Sequence, residues 1–131
     1  MQTRFRTALP VLLALLAVQA AAADDASAGF ARCMDAAEGV TVDMLDCIDD
    51  ETALQDARLN TEYGSTLASV SKRQQTRLRA AQRLWVQYRD ANCVFRADPE
   101  GGTLATVMSV DCRRAMTTER ASELAQLRQQ I

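Results

Sequence analysis

Apolar residues fall along the chain in two patterns. From Ala8 to Val18 they form a nearly unbroken run (ALPVLLALLAV), preceded by Arg4 and Arg6 and followed by the small run Ala20 to Ala23. Positive charge, an apolar stretch and A-x-A cleavage options, in that order, predict a secretory signal peptide. At about 11 residues the run is well short of the roughly 20 that cross a bilayer. No cysteine follows it directly, the nearest being Cys33, so no lipid-modified N-terminus is expected. The expected organisation is a cleaved leader over 1–23 and one domain over 24–131.

Beyond the leader the apolar positions recur at helical spacing, in stretches rich in Ala, Leu, Gln, Arg and Glu and without strand-like alternation. A short helical lead-in is expected around Ala28 to Ala37. Thr41 is a good N-cap, with Asp43 in the first turn. Met44, Ile48, Leu59, Tyr63, Leu67 and Val70 then mark one face, with Gly64 a weak point costing about 1 kcal/mol relative to alanine. Ser71 followed by Gln74 matches a capping box, so the chain turns at Val70-Ser71 and a second helix begins. Its face is Leu78, Ala81, Trp85, Tyr88 and Asn92, and Asp98-Pro99-Glu100-Gly101-Gly102 stops it. Thr103 can cap a third helix toward Ile131, kinked near Met116-Thr117, with Leu124, Leu127 and Ile131 as its last apolar stripe. The fold class is therefore all-α, a small antiparallel bundle of about three main helices.

Cysteine and charge sharpen this picture. Cys33, Cys47, Cys93 and Cys112 all follow the leader, and an even count in a short exported chain reads as two disulfides. Zinc is disfavoured, since there is no histidine and no C-x-x-C pair. Along one unbroken helix Cys33 and Cys47 would lie roughly 21 Å apart, whereas a bridge needs Cα atoms within about 7 Å. A reversal at Glu38-Gly39-Val40 can join them, and Pro99, Gly101 and Gly102 can reverse the chain between Cys93 and Cys112. That pairing, 33–47 with 93–112, is preferred; the competitor joins Cys47 to Cys93. Losing Arg4 and Arg6 with the leader leaves 13 basic residues against 17 acidic. A mildly acidic surface disfavours nucleic acid and anionic membranes and favours cationic partners.

Most catalytic chemistry lacks its residues. With no histidine there is no imidazole base, triad or imidazole metal ligand. Oxidised cysteines are not nucleophiles, and no glycine-rich phosphate loop is present. No cofactor or metal is expected. The acidic set Asp43, Asp46, Asp49, Asp50 and Glu51 could in principle supply a glycosidase-type carboxylate pair. At the start of a helix it reads better as a solvated face favoured by the helix dipole. Lys72, Arg73, Arg77, Arg79 and Arg83, with no aromatic residues among them, read likewise as solvated.

Two constellations stand out: Asp56, Asn60 and Tyr63 on the first long helix, and Gln82, Trp85 and Arg89 on the second. If the chain turns near Ser71, Asp56 and Asn60 could meet Arg89 or Gln82 across the interface. A partly buried polar network of this kind sets helix register. Trp85 is expected to anchor the core.

The same residues carry a family likeness. Cys33, Thr41, Met44 and Cys47 come first, then D-x-x-L-N-x-x-Y at Asp56 to Tyr63. AQRLWVQYRD-x-x-C follows at Ala81 to Cys93, and Cys112, Thr117, Arg120 and Leu124 complete the series. In this order they resemble the LprI-type lysozyme-inhibitor family over nearly the whole mature chain. The resemblance implies a secreted or periplasmic helical domain with paired cysteines and a protein partner, a lysozyme, and it supplies no catalytic residues. Lysozymes are typically basic, and a weakly acidic protein is steered toward them. The candidate contact loop is Ala97 to Thr106, with Asp98, Glu100, Gly101, Gly102 and Thr103 at its centre, because a loop restrained by a disulfide loses less entropy on binding. The rival reading is an envelope adaptor for another protein.

Overall fold

The computed structural model describes residues 26–97 and 100–131. The expected leader and Asp98-Pro99 lie outside these residues. Four helices follow in order: α1 (Ala28–Ala36), α2 (Thr41–Ser69), α3 (Lys72–Arg96) and α4 (Gly102–Gln129). Three are long and one is short, and no strand occurs among the described residues. None of the described helices is long and apolar enough to cross a membrane.

Local chemistry sets most boundaries. The Ser27 hydroxyl accepts from the Phe30 amide and caps α1. Glu38 and Gly39 then take positive φ, 47° and 83°, and turn the chain back within four residues. Glycine adopts that backbone without steric cost. Ser71 and Gln74 form the expected capping box on α3. Two caps differ from expectation. Val40, not Thr41, is the N-cap of α2, and Gly101 precedes α4, which opens on Gly102 at φ 60° with Thr103 already inside. Neither cap makes a side-chain hydrogen bond, so backbone reversal rather than a hydroxyl starts these helices. α4 continues without a break through Met116-Thr117, where a kink was expected.

Topology follows from which faces are buried. α4 packs along most of α2, and α3 packs on α4, whereas α2 and α3 scarcely approach each other. α1 lies on α2. Arg128 bonds Glu62 at 3.2 Å, and Arg114 acts electrostatically on Glu51, so α2 and α4 run parallel. Cys93 bonded to Cys112, together with Arg120 bonded to Gln82, sets α3 antiparallel to α4. The apolar core is small. Leu59, Ala121 and Leu124 form its centre, with Tyr63, Leu78 and Trp85 packed around them.

Polar residues complete the interior. Glu51, Gln55, Thr66, Arg114, Thr117, Thr118 and Arg120 are all buried. The threonines tolerate this because their hydroxyls bond their own helix: Thr118 to the Arg114 carbonyl at 2.9 Å and Thr66 to the Glu62 carbonyl at 2.8 Å. Small and self-satisfied side chains let α2 and α4 approach closely.

Candidate functional site

Both disulfides lie toward the same end of the bundle. Thr41 is ten residues before Glu51, about 15 Å along α2, and Gly102 is twelve before Arg114, about 18 Å along α4. Since Glu51 and Arg114 are near one another, the two parallel helices start together. Cys33–Cys47 ties α1 to the second turn of α2, with Cα atoms 5.7 Å apart. Cys93–Cys112 ties the last turn of α3 to α4, at 5.5 Å. The Ser109 hydroxyl adds a bond to the Cys93 carbonyl at 3.2 Å.

This stapled end exposes apolar side chains. Val40 and Val42 at the start of α2, and Leu104 and Met108 at the start of α4, all face solvent. Glu100, Gly101, Gly102 and Thr103 of the expected contact loop are exposed beside them, while Asp98 lies outside the described residues. Alongside is a shallow recess of about 310 Å³ lined by Asp43, Asp46, Asp50, Ala36, Ala37 and the Cys33–Cys47 bridge.

Two polar clusters tie the helices together, one at this end and one midway along α3 and α4. In the first, the Glu51 carboxylate accepts from the Ser27 amide at 2.8 Å, from the Ser27 hydroxyl and from the Gln55 side chain at 2.7 Å. Burial alone would raise the Glu51 pKa. The bonds from Ser27 and Gln55 and the charge of Arg114 outweigh it and hold the pKa below the usual carboxylate range. Arg114 in turn stacks its guanidinium 4.4 Å from the Phe30 ring, linking α4 to α1, and bonds Asp111 at 2.6 Å. In the second cluster, Trp85 meets two guanidinium groups, Arg89 at 5.1 Å and Arg120 at 6.0 Å. Arg89 also donates to Thr117 at 3.2 Å, and Arg120 to Gln82 at 3.0 Å.

The six network residues expected from sequence therefore divide. Gln82, Trp85 and Arg89 come together through Thr117 and Arg120 of α4. Tyr63 joins the core, and Asp56 and Asn60 are exposed on α2. The hairpin pairing of α2 with α3 that would have joined the two sets does not form, because α4 packs against both helices. Glu51, expected with its acidic neighbours on a solvated face, is instead buried, and sequence reading gave no place in a polar network to Gln55, Arg114, Thr117 or Arg120. Polar residues leave no trace in apolar periodicity, and the one available signal was the Glu51–Gln55 spacing of four on a helix.

Glu51 is ionised, enclosed and saturated with donors, which makes it a poor general acid at neutral pH. Among the described residues no three Cys, Asp or Glu side chains are grouped to hold a metal.

Comparison with known proteins adds the family. A model described as "Lysozyme inhibitor LprI" matches residues 33–124, from the first cysteine to the core leucine of α4. An uncharacterized protein of Rhizobium meliloti (strain 1021) is 27% identical over 100 residues, covering 66% of this chain and 72% of its own length. No solved structure matches.

Proposed function

Because the chain belongs to the lysozyme-inhibitor LprI family, we propose that it is exported, loses its 1–23 leader in the periplasm or outside the cell, and binds a lysozyme-type muramidase. It acts by occlusion, without cofactor or covalent chemistry. The observation that carries this reading is the stapled end of the bundle, where Val40, Val42, Leu104 and Met108 are exposed around the connection at Glu100 to Thr103. Scattered apolar residues on a surface mean little, but a group at one rigid end has the character of a protein contact. Disulfides beneath it lower the entropy lost on docking. An enzyme cleft is concave, and a protruding helix end is the complementary shape.

The test is titration of the oxidised protein into cell-wall lysis assays with a panel of lysozyme types at physiological salt. Saturable inhibition at fixed stoichiometry, abolished by reducing the disulfides and weakened by Glu100→Ala with Thr103→Ala, is the expected result. Absence of inhibition across the panel would sink the reading and favour an adaptor for another envelope protein.

A further inference from the structure

α3 packs on α4 and scarcely approaches any other helix. It turns Gln82 and Cys93 inward, to Arg120 and Cys112 of α4. With 3.6 residues per turn, the opposite face carries Leu84, Tyr88, Ala91 and Phe95, with Val94 at its edge. All five are exposed, Leu84 by 66%, Tyr88 by 61%, Val94 by 62% and Phe95 by 86%. Toward the N-terminus the same face continues as Arg77 and Arg73, about two and three turns before Leu84. Arg83 flanks it.

The charge of this helix is unspent. Lys72, Arg73, Arg77, Arg79, Arg83 and Arg96 are exposed, and none of them forms an ion pair among the described residues. Asp90, the one acidic residue of α3, is bonded to Arg89 at 3.0 Å. On the other side of α4, α2 holds seven acidic residues and one basic. The mildly acidic total of the chain, which argues against anionic membranes in the sequence, therefore conceals one strongly basic side. Basic residues continuous with exposed leucine, tyrosine and phenylalanine on one helix are the composition of a helix that lies on a membrane.

We propose that this face of α3 docks on a bilayer of anionic phospholipid, with the helix lying in the interface plane. Leu84, Tyr88 and Phe95 enter the boundary between headgroups and acyl chains, and Arg73, Arg77 and Arg83 meet the lipid phosphates. The peptide groups of α3 are bonded within the helix, so none is stranded on entering the interface. Repulsion of the acidic α2 from the same surface fixes which side faces the bilayer. A nucleic acid would use the arginines but leave Leu84 and Val94 without a contact, and a second copy on this face would bring two basic helices together. The surface is centred on Leu84, roughly 13 Å along α3 from Cys93. It goes beyond the lysozyme contact and is tested without a lysozyme.

The experiment is co-sedimentation of the oxidised protein with vesicles of phosphatidylcholine alone and of an equal mixture with phosphatidylglycerol. Binding to the mixture that weakens as salt is raised, with negligible binding to phosphatidylcholine alone, is the expected result. Arg73→Glu with Arg77→Glu should weaken binding by about tenfold or more. Leu84→Gln with Tyr88→Gln, which leaves the charge unchanged, should do the same. Both pairs should retain the helical circular dichroism signal, because all four side chains are exposed. No binding to the mixture, or equal binding to both vesicle types, would overturn the proposal. Full binding by the Leu84 and Tyr88 variant would leave only a polyanion site and overturn it too. So would a dimer in lipid-free sedimentation that this variant dissolves, since a second copy would then own the face.

Discussion

The Glu51 carboxylate, in the third turn of α2, accepts both the backbone amide and the hydroxyl of Ser27, which lies 24 residues earlier and caps α1. One side chain thus fixes where the first helix begins and how it sits on the second. Since the folded-state pKa of Glu51 is depressed, its contribution to stability is present in full above the unfolded value. That contribution is lost as pH falls from about 4.5 through the folded value. Glu51→Gln should cost about 1–2 kcal/mol at pH 7, and the gap from the parent should close toward pH 3. Thermal unfolding of both proteins across that range checks the sign.

The two disulfides close loops of 14 and 19 residues, so each should contribute about 3 kcal/mol by restricting the unfolded chain. Their structural consequences should differ. Replacing Cys33 and Cys47 with serine should loosen α1, which packs chiefly on α2. Replacing Cys93 and Cys112 should loosen the α3–α4 hairpin. Urea unfolding measures the loss, and hydrogen exchange should locate early opening in α1 for the first variant and in α3 for the second.

Arg120 is buried beside Trp85 and bonds both Gln82 and Glu123. Arg120→Ala should cost about 2–4 kcal/mol, because the Gln82 amide loses its partner and the ring loses a covering group. Tryptophan emission should shift to the red as water reaches the single indole. Asp56→Ala with Asn60→Ala, at exposed positions of α2, should change stability by no more than about 0.5 kcal/mol. A large loss in the double variant would restore the cross-helix network expected from sequence.

Leu104 and Met108 are 59% and 51% exposed on the first turns of α4. Glutamate at both positions should leave the unfolding temperature nearly unchanged. It should weaken inhibition of a susceptible lysozyme by about tenfold or more, equivalent to roughly 1.4 kcal/mol or more. Calorimetric titration separates the two effects. Unaltered affinity would move the contact surface away from the stapled end.

Much of the fold was legible because it rests on local chemistry. The Ser71–Gln74 capping box, the reversal at Gly39 and the helix stop near Gly101 follow from residues only a few positions apart. The same reversals favoured the disulfide pairing found in the structure. The expected core was right at Ile48, Leu59 and Leu124, where apolar periodicity and burial coincide. It failed at Ala81, Tyr88 and Ile131, which are exposed. Periodicity shows that a face is apolar but not whether the chain itself covers it.

The sequence by itself determined the helices, their ends and the residues available for cross-linking, since each depends on backbone preference and near neighbours. Only the tertiary structure decided that α4 lies on both α2 and α3 while those two stay apart. That choice is made by closely packed small residues such as Thr66, Thr117, Thr118 and Ala121, and by buried partners distant in sequence. It took Gln82 and Arg89 to α4, left Asp56 and Asn60 in water, and opened the two outer faces of α2 and α3. Close packing and buried hydrogen bonding are matters of three-dimensional fit, and neither leaves a period in the order of residues.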